Sequence, residues 1–267
     1  MEYPVAFVNA FANGLFDGNT AAVVVVNSYP SDKKMLDTAR LFGFSETAFL
    51  QSLDSGAYQI RWFTPEVEVP LCGHATLASA AYLFAEREKD NQQLRFISLS
   101  GELVARKNNQ EVELDFPLDI PHPYQAEPEV ITALGKIKIL QTLYAPFTHN
   151  LIVVVDNPET VLSTEPDFTG LLQLRDKPYF GIAVTAADID GYVCRYFAPW
   201  EGINEDPVTG SAQTFLAPFW AEAMGKAELN GFQASSRGGH FSVSVLKDRI
   251  LIRGKAYIYL NGLINIP

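Results

Sequence analysis

The chain has 267 residues, 48% of them hydrophobic, with 20 basic and 31 acidic side chains and a net charge of -11. This excess of negative charge argues against nucleic acid as a partner, because that binding depends on lysine and arginine to neutralise phosphates. No apolar run approaches the roughly 18 residues needed to cross a bilayer, and the start of the chain has no secretion signal. With only two cysteines, we expect a protein of the reduced cytoplasm that binds neither membrane nor nucleic acid.

The first part of the chain predicts strands around one unusual helix. The expected elements are strands at 5–11 and 21–26, a helix from Ser31 to Gly43, a strand at 58–63, a helix from about Ala75, and strands at 94–99, 102–107 and 111–116. The second helix is apolar on nearly every side, which is typical of a helix buried inside a domain. Its first turn follows Gly73 and His74, so unused backbone N–H groups could bind an anion there.

Four prolines between positions 117 and 128 mark the expected boundary between two domains. We therefore predict an N-terminal domain over 1–118 and a C-terminal domain over 119–267, with final strands that could cross back to the first domain. The second part should contain a short helix at 130–134, strands at 137–145 and 151–155, a helical segment at 167–175, strands at 179–183 and 192–197, an apolar helix at 211–223 and strands at 241–246, 249–252 and 256–264. Pro218 should kink this last helix or end it early.

A short internal repeat favours duplication. The segment RWFTP at 61–65 matches RYFAP at 195–199 at an offset of 134 (195 − 61), and the same offset places Cys72 on Asp206. Strands, a buried helix and a hairpin-rich sheet follow one another in both halves. We therefore expect two similar α+β domains, each a sheet wrapped around a helix, with the two helix starts facing each other across a ligand cleft.

Glu46 is the first candidate for acid–base chemistry. It lies in FSETAFL at 44–50, where apolar neighbours would desolvate the carboxylate, raise its pKa and suit it to general acid–base catalysis. A capping or solvated carboxylate is the simpler interpretation, and the residues alone favour it. His74, at the head of the apolar helix, is explained equally well as a structural histidine and as a substrate contact.

Asp206 is the second acidic candidate, in the segment NEDPVTGSA at 204–212. It could act as an acidic partner across the cleft, where Gly210 and Ser211 would offer backbone N–H groups and a hydroxyl to a carboxylate. Alternatively it belongs to the cap of the second apolar helix, since aspartate is a favoured capping residue. The two roles are compatible.

Cys72 could act in a two-thiol racemase, in which one thiol removes a proton and the other delivers one. The repeat places Asp206 where the second thiol would be, and Cys194 lies within a predicted strand, so we expect Cys72 to be a small buried residue. We predict no metal site, because the other histidines are scattered singly, at His122, His149 and His240. No dinucleotide or phosphate-loop fingerprint is present either.

Five segments, in order along nearly the whole chain, resemble the PhzF-like family of phenazine biosynthesis: NAFANGLFDGNTAAVV, FSETAFL, FTPEVEVPLCGHATLASAAYLF, EDPVTGSA and ASSRGGHFSV. This family shares its fold with diaminopimelate epimerase. The resemblance implies two pseudo-symmetric domains, each a β-sheet barrel around a central α-helix, with the active site between them. It also implies an isomerase without a cofactor, and in many members a homodimer.

The resemblance assigns roles to seven residues. Glu46 matches the family's proton-transferring glutamate, and His74 and Asp206 match its assisting histidine and aspartate. The positions that match those holding a substrate carboxylate are Ser45, Gly73, Gly210 and Ser211.

Two positions depart from the family pattern. Asn9 stands where the family usually has aspartate, and Thr20 where it usually has proline, so the substrate could differ from the dihydro-hydroxyanthranilate of the name-giving member. We expect a cofactor-independent isomerase that shifts a proton on a small carboxylate-bearing substrate. The alternatives are a cysteine-dependent amino-acid epimerase or racemase, and a non-catalytic small-molecule-binding homologue.

Overall fold

The structure is a computed structural model that describes residues 1–174 and 176–267. The described chain divides into two compact units, one made of Met1–Phe116 with Leu251–Pro267 and the other of Pro117–Ile250. The first unit therefore contains both ends of the chain. Arg175, the last residue of the helical segment predicted at 167–175, lies outside the described residues.

Strands predominate over helices in both units. The strands are β1 Glu2–Ala10, β2 Asn19–Val26, β3 Glu46–Ser52, β4 Tyr58–Phe63, β5 Glu68–Val69, β6 Gln93–Ser98, β7 Gly101–Asn108, β8 Glu111–Pro117, β9 His122–Pro123, β10 Ile139–Ala145, β11 Asn150–Val155, β12 Gly181–Asp188, β13 Gly191–Ala198, β14 Ile203–Asp206, β15 Glu228–Gln233, β16 Gly239–Val245, β17 Arg249–Gly254 and β18 Ala256–Asn265. The helices are α1 Asp32–Phe42, α2 Gly73–Glu86, α3 Pro128–Ala133, α4 Pro158–Leu162, α5 Phe168–Gln173 and α6 Gln213–Met224, with one 3-10 turn at Pro199–Glu201.

The sheet of the first unit surrounds α2. β1 pairs antiparallel with β2 and with β18, β2 runs parallel to β3, and β4 runs parallel to β6. The helix packs against β1, β2, β3, β7 and β18, and most of its side chains are buried. Its threonine and serine hydroxyls are satisfied locally, because Thr76 Oγ1 donates to Cys72 O (2.5 Å) and Ser79 Oγ donates to Ala75 O (2.7 Å). Because its serine and threonine hydroxyls have hydrogen-bond partners within the helix, α2 can be buried on most of its surface.

The second unit repeats this order of pairings. β10 is antiparallel to β11, β11 is parallel to β12, β12 is antiparallel to β13, and β13 is parallel to β15. Helix α6 packs against β13, β15 and β16. The predicted α+β fold of two similar units, each with sheet around a buried helix, is confirmed.

Strand register corrects the predicted alignment of the repeat. Trp62 lies opposite Val69 in the β4–β5 hairpin, and Tyr196 lies opposite Asp206 in the β13–β14 hairpin. Trp62 and Tyr196 are equivalent at the offset of 134, so the counterpart of Asp206 is Val69 and the offset beyond the hairpin is 137 (206 − 69). The prediction that Cys72 and Asp206 are counterparts is wrong. Three additional residues in the second hairpin, which contains the turn Pro199–Glu201, account for the difference.

The helix starts support the corrected offset. Thr76 Oγ1 donates to the carbonyl of Cys72, four residues earlier, and Gln213 Nε2 donates to the carbonyl of Thr209, also four residues earlier. Both pairs are related by 137 (209 − 72 and 213 − 76). Thr209, a residue that cannot act as a thiol, is therefore the counterpart of Cys72.

Two helix predictions have different outcomes. Gly43 ends α1 with a left-handed backbone (φ 68°), as expected of a glycine in that position. Pro218 does not end α6 early, because the helix continues to Met224. Across residues 1–174 and 176–267, the helices are all too short or too polar to span a membrane.

Candidate active site

His74, the second residue of α2, is the centre of a buried polar group in the first unit. Its side chain is almost fully buried, and each ring nitrogen has two polar neighbours. Nε2 lies 3.1 Å from Glu46 Oε2 and 3.2 Å from Ser45 Oγ. Nδ1 lies 3.2 Å from Asn19 Nδ2 and 3.6 Å from Cys72 Sγ. The structure thus brings together Ser45, Glu46 and His74, three of the predicted site residues.

The starts of two parallel strands position this group. Asn19 is the first residue of β2, Glu46 is the first residue of β3, and Ala21 is paired with Glu46 across the two strands. Ser45 Oγ donates to Asn19 Oδ1 at 3.0 Å. Gly18 makes the approach to β2 possible, because its φ is 76° and an added Cβ would lie 2.4 Å from Ala10 O.

The environment of Glu46 differs from the prediction. Burial disfavours its carboxylate, but the charge of His74 and the polar contacts from His74, Ser45 and Cys72 outweigh this effect, so the pKa of Glu46 is lowered. The predicted rise of this pKa is wrong, because the apolar neighbours in sequence are not its only neighbours in space. Oε2 is buried and has no partner in hydrogen-bond geometry, so its contact with His74 is a close approach of two charges.

The two other titratable groups respond to Glu46. Burial lowers the pKa of His74, but the neighbouring acidic groups Cys72 and Glu46 raise it well above its ordinary value. Burial and then the charge of Glu46 raise the pKa of the Cys72 thiol to about 11. Cys72 is therefore a protonated, buried thiol near neutral pH, which makes it a poor base.

Asp206 belongs to a polar group of the second unit. It is the last residue of β14, and its Oδ2 accepts a hydrogen bond of 2.5 Å from Thr209 Oγ1. Fully buried Gln233 donates to Asp206 O (2.7 Å) and accepts from Thr209 N (2.8 Å). Asp206 does not cap the second apolar helix, because Ala212 occupies the capping position of α6.

Gly210 and Ser211 form the turn that leads into α6. Gln213 N donates to Gly210 O (3.2 Å) and Thr214 N donates to Ser211 O (3.1 Å), so the helix begins directly after them. Gly73 has the corresponding position at the start of α2. A glycine at each helix start, Gly73 and Gly210, has no side chain to crowd the first N–H groups.

Two residues of these groups were missed in the sequence. Asn19 looked like a turn residue, and Gln233 stood in a segment without a predicted element. A buried strand that begins with a polar side chain, such as the run NTAAVVVV of β2, is the signal that could have identified Asn19. Gln233 has no comparable signal, because only the fold brings it to Thr209.

The polar group around His74 also has the composition of a metal site. One ligand atom each from Glu46, Cys72 and His74 lie within 4.8 Å of one another. The prediction of no metal site rests on the scattered histidines and leaves out this combination of a thiol, an imidazole and a carboxylate.

Comparison with known proteins identifies the class of this chain. It belongs to the phenazine biosynthesis-like protein family (PhzC-PhzF), whose sequence model matches residues 8–262. This confirms the resemblance found in the sequence.

The similarity between this chain and its relatives extends over nearly the full length of both. The chain is 40% identical to a Pseudomonas aeruginosa protein described as an uncharacterized isomerase, over 100% of both chains. A solved PhzF-family structure from Enterococcus faecalis has a TM-score of 0.93 and 38% identity, over 99% of this chain and 100% of that one. A hydroxyproline epimerase from Agrobacterium vitis has a TM-score of 0.62 over 98% of this chain and 91% of that one, at 13% identity, and shares the fold alone. Membership of this family supports an isomerase role.

Proposed function

We propose that this protein is a cofactor-independent isomerase that moves a proton on a small carboxylate-bearing substrate, with Glu46 as the general acid–base. The observation that carries the proposal is the buried contact of 3.1 Å between Glu46 Oε2 and His74 Nε2. Both groups have perturbed pKa values, and such pairs concentrate at functional sites.

Glu46 would begin the reaction as a base. Its lowered pKa keeps the carboxylate ionised near neutral pH, and Oε2 has no aligned hydrogen bond to give up. The C–H bond of the substrate breaks, the proton passes to Oε2, and the electron pair enters the adjoining conjugated system. Glu46 then returns the proton at another carbon on the same face of the substrate, which gives the isomer.

The remaining site residues would hold the substrate. His74 and Ser45 border the carboxylate of Glu46, and the first turn of α2 offers backbone N–H groups to a substrate carboxylate. The family resemblance adds Asp206, at the end of β14, and Gly210 and Ser211, in the turn before α6. It also leads us to propose a cytoplasmic homodimer, to be tested by light scattering after gel filtration.

The test starts by finding a ligand and then follows the proton. Thermal-shift screening against cyclic and amino carboxylates identifies compounds that bind the folded chain, because such ligands raise its melting temperature. Ligands found in this way are incubated in deuterated solvent, and incorporation at carbon is read by mass spectrometry.

We expect Glu46→Gln to abolish this incorporation while it still binds the ligand. Glu102→Gln, which changes an exposed carboxylate paired with Arg95, is the matched control and should behave as wild type. Exchange retained by a folded Glu46→Gln protein would refute the role of Glu46.

The two alternative functions, a cysteine-dependent epimerase and a non-catalytic homologue, predict different results in the deuterium-exchange experiment. A cysteine-dependent epimerase would lose exchange in Cys72→Ser, but the protonated thiol and the threonine counterpart at Thr209 argue against it. A non-catalytic homologue would bind a ligand and leave its hydrogens unexchanged even in the wild-type protein.

A further inference from the structure

The buried group around His74 contains a thiol, an imidazole and a carboxylate, the three ligand types that proteins use for zinc. Their ligand atoms lie within 4.8 Å of one another. A zinc ion with bonds of about 2.0–2.3 Å at tetrahedral angles holds neighbouring ligand atoms roughly 3.3–3.6 Å apart. Small side-chain movements would therefore bring all three atoms to one ion.

Cys72 and His74 already have the required spacing. Cys72 Sγ lies 3.6 Å from His74 Nδ1, which fits a shared tetrahedral ion. With Nδ1 bound to metal, the ring carries its proton on Nε2, and Ser45 Oγ lies 3.2 Å from that nitrogen, ready to accept it. Metal-bound histidines in proteins usually have such an outer partner for the second ring nitrogen.

Glu46 would supply the third ligand, and its carboxylate, now 3.1 Å from His74 Nε2, has to turn towards the ion at Nδ1. Its Oε2 is buried but has no partner in hydrogen-bond geometry, so the carboxylate can rotate towards an ion without breaking an aligned hydrogen bond. The Glu46 side chain is 15% exposed, so solvent reaches this residue, and a water molecule would complete the tetrahedral coordination of the ion. The amide of Asn19, whose Nδ2 lies 3.2 Å from Nδ1, has to turn away when the ion binds.

We propose that Glu46, Cys72 and His74 bind a divalent zinc ion, with the thiol proton of Cys72 released to solvent as the Zn–S bond forms. The ion engages the carboxylate of Glu46 and so blocks it as a base. Metal binding stands independently of the proposed isomerase activity. The inhibition rests on that activity.

Cobalt(II) is the probe, because its thiolate complexes absorb near-ultraviolet and visible light and the corresponding zinc complexes do not. The full chain, reduced and freed of metal, is titrated with Co²⁺ and then with Zn²⁺. We expect a thiolate-to-cobalt charge-transfer band that saturates at one equivalent and is lost when Zn²⁺ displaces the cobalt.

The two cysteines provide a matched pair of variants. Cys194, the only other cysteine, is buried in β13 of the second unit. The band should be lost in Cys72→Ser and retained in Cys194→Ser, and Ser45→Ala should bind cobalt about 10–100-fold more weakly. Circular dichroism establishes that each variant is folded, and Cys72→Ala replaces Cys72→Ser if the latter is not.

The outcomes separate the two proposals. A wild-type protein without the band, or a folded Cys72 variant that keeps it, overturns the zinc site whatever the enzyme does. A cobalt band together with unaffected deuterium exchange keeps the metal site and contradicts the role of Glu46 as the base.

Discussion

Asn9 and Thr20, the two residues that depart from the family pattern, are hydrogen-bonded to each other. Thr20 Oγ1 donates to Asn9 Oδ1 at 2.6 Å, and Asn9 Nδ2 donates to Leu15 O at 2.6 Å. Neither bond could form with the usual pair, because aspartate has no N–H to donate and proline has no hydroxyl. The two unusual residues therefore form one hydrogen-bonded pair. Thr20 directly follows Asn19, which belongs to the polar group around His74.

Asn9→Asp should destabilise the protein by about 1–3 kcal/mol, because it buries a charge and leaves the carbonyl of Leu15 without its donor. Urea denaturation should show a lower midpoint with an unchanged slope. Asn261→Asp, in an exposed position of β18, is the control and should leave the midpoint almost unchanged. Equal midpoints for the two variants would show that the Asn9 bonds contribute nothing.

The ionisation of Glu46 should depend on His74. A carboxyl group whose pKa is lowered by folding stabilises the protein above its unfolded-state pKa, and that stability is lost as pH falls through the folded-state value. In His74→Gln the opposing charge is gone and desolvation remains, so the pKa of Glu46 should rise and the carboxylate should be protonated at higher pH. Carbon NMR titration of labelled glutamate carboxyls, with Glu46 assigned through Glu46→Gln, measures this shift.

The control for this titration is His240→Gln, which changes an exposed histidine of the second unit. It should leave the titration of Glu46 where it is in the wild type. A Glu46 pKa that stays lowered in His74→Gln would assign the effect to Ser45 and Cys72 instead.

At the scale of elements, an arginine–glutamate pair closes each equivalent hairpin. Arg61 binds Glu68 through two nitrogens (2.7 and 2.6 Å) with its guanidinium 5.2 Å from the centre of the Phe63 ring. Arg195 binds Glu205 in the same bidentate way. The repeated segments RWF and RYF thus preserve a cation between a carboxylate and an aromatic ring.

Arg61→Ala should cost roughly 2–3 kcal/mol, because it leaves the partly buried Glu68 without its partner. Arg95→Ala is a close control. Arg95 also binds a glutamate seven residues later in two places (3.0 and 2.7 Å), but its side chain is 48% exposed against 20% for Arg61. We expect a much smaller loss for Arg95→Ala in urea denaturation, and equal losses would contradict the importance of burial.

The buried helices were predictable from the sequence because their apolar character is a local property. The segment that forms α2 has no polar face, and its counterpart α6 is similar. The contact of Asn19 with His74 spans 55 positions, so no local pattern indicates it. The lowered pKa of Glu46 depends on its own long-range contact with His74. The alignment of Cys72 with Asp206 failed because an insertion of three residues in a hairpin is invisible without strand register.

At the scale of the whole molecule, the chain leaves its first unit and returns to it. β1 is paired along its length with β18, from Glu2 opposite Asn265 to Ala10 opposite Ala256, and with β2 on its other side. β8 likewise pairs with β17. The second unit, Pro117–Ile250, is one continuous segment between these strands.

The first unit is made of two separate stretches of the chain and the second of one, so fragments of the two units should differ in their ability to fold. Residues 117–250 alone should fold and unfold cooperatively, whereas residues 1–116 alone should not, because β1 then lacks β18 and β8 lacks β17. Joining 251–267 to residue 116 through a flexible linker should restore a cooperative transition in the first unit. Thermal melts followed by circular dichroism measure this, and a cooperative transition in 1–116 alone would contradict it.

The pairing of β1 with β18 also sets an order of events during translation. Ribosomes deliver β1 early and β18 only after the whole of 117–250 has emerged, so the later-made middle of the chain can mature before the earlier-made beginning. Until then β1 presents unpaired backbone N–H and C=O groups along one side, a template for pairing with another nascent chain. We expect the first 116 residues to be the segment of this protein that most needs chaperones during synthesis.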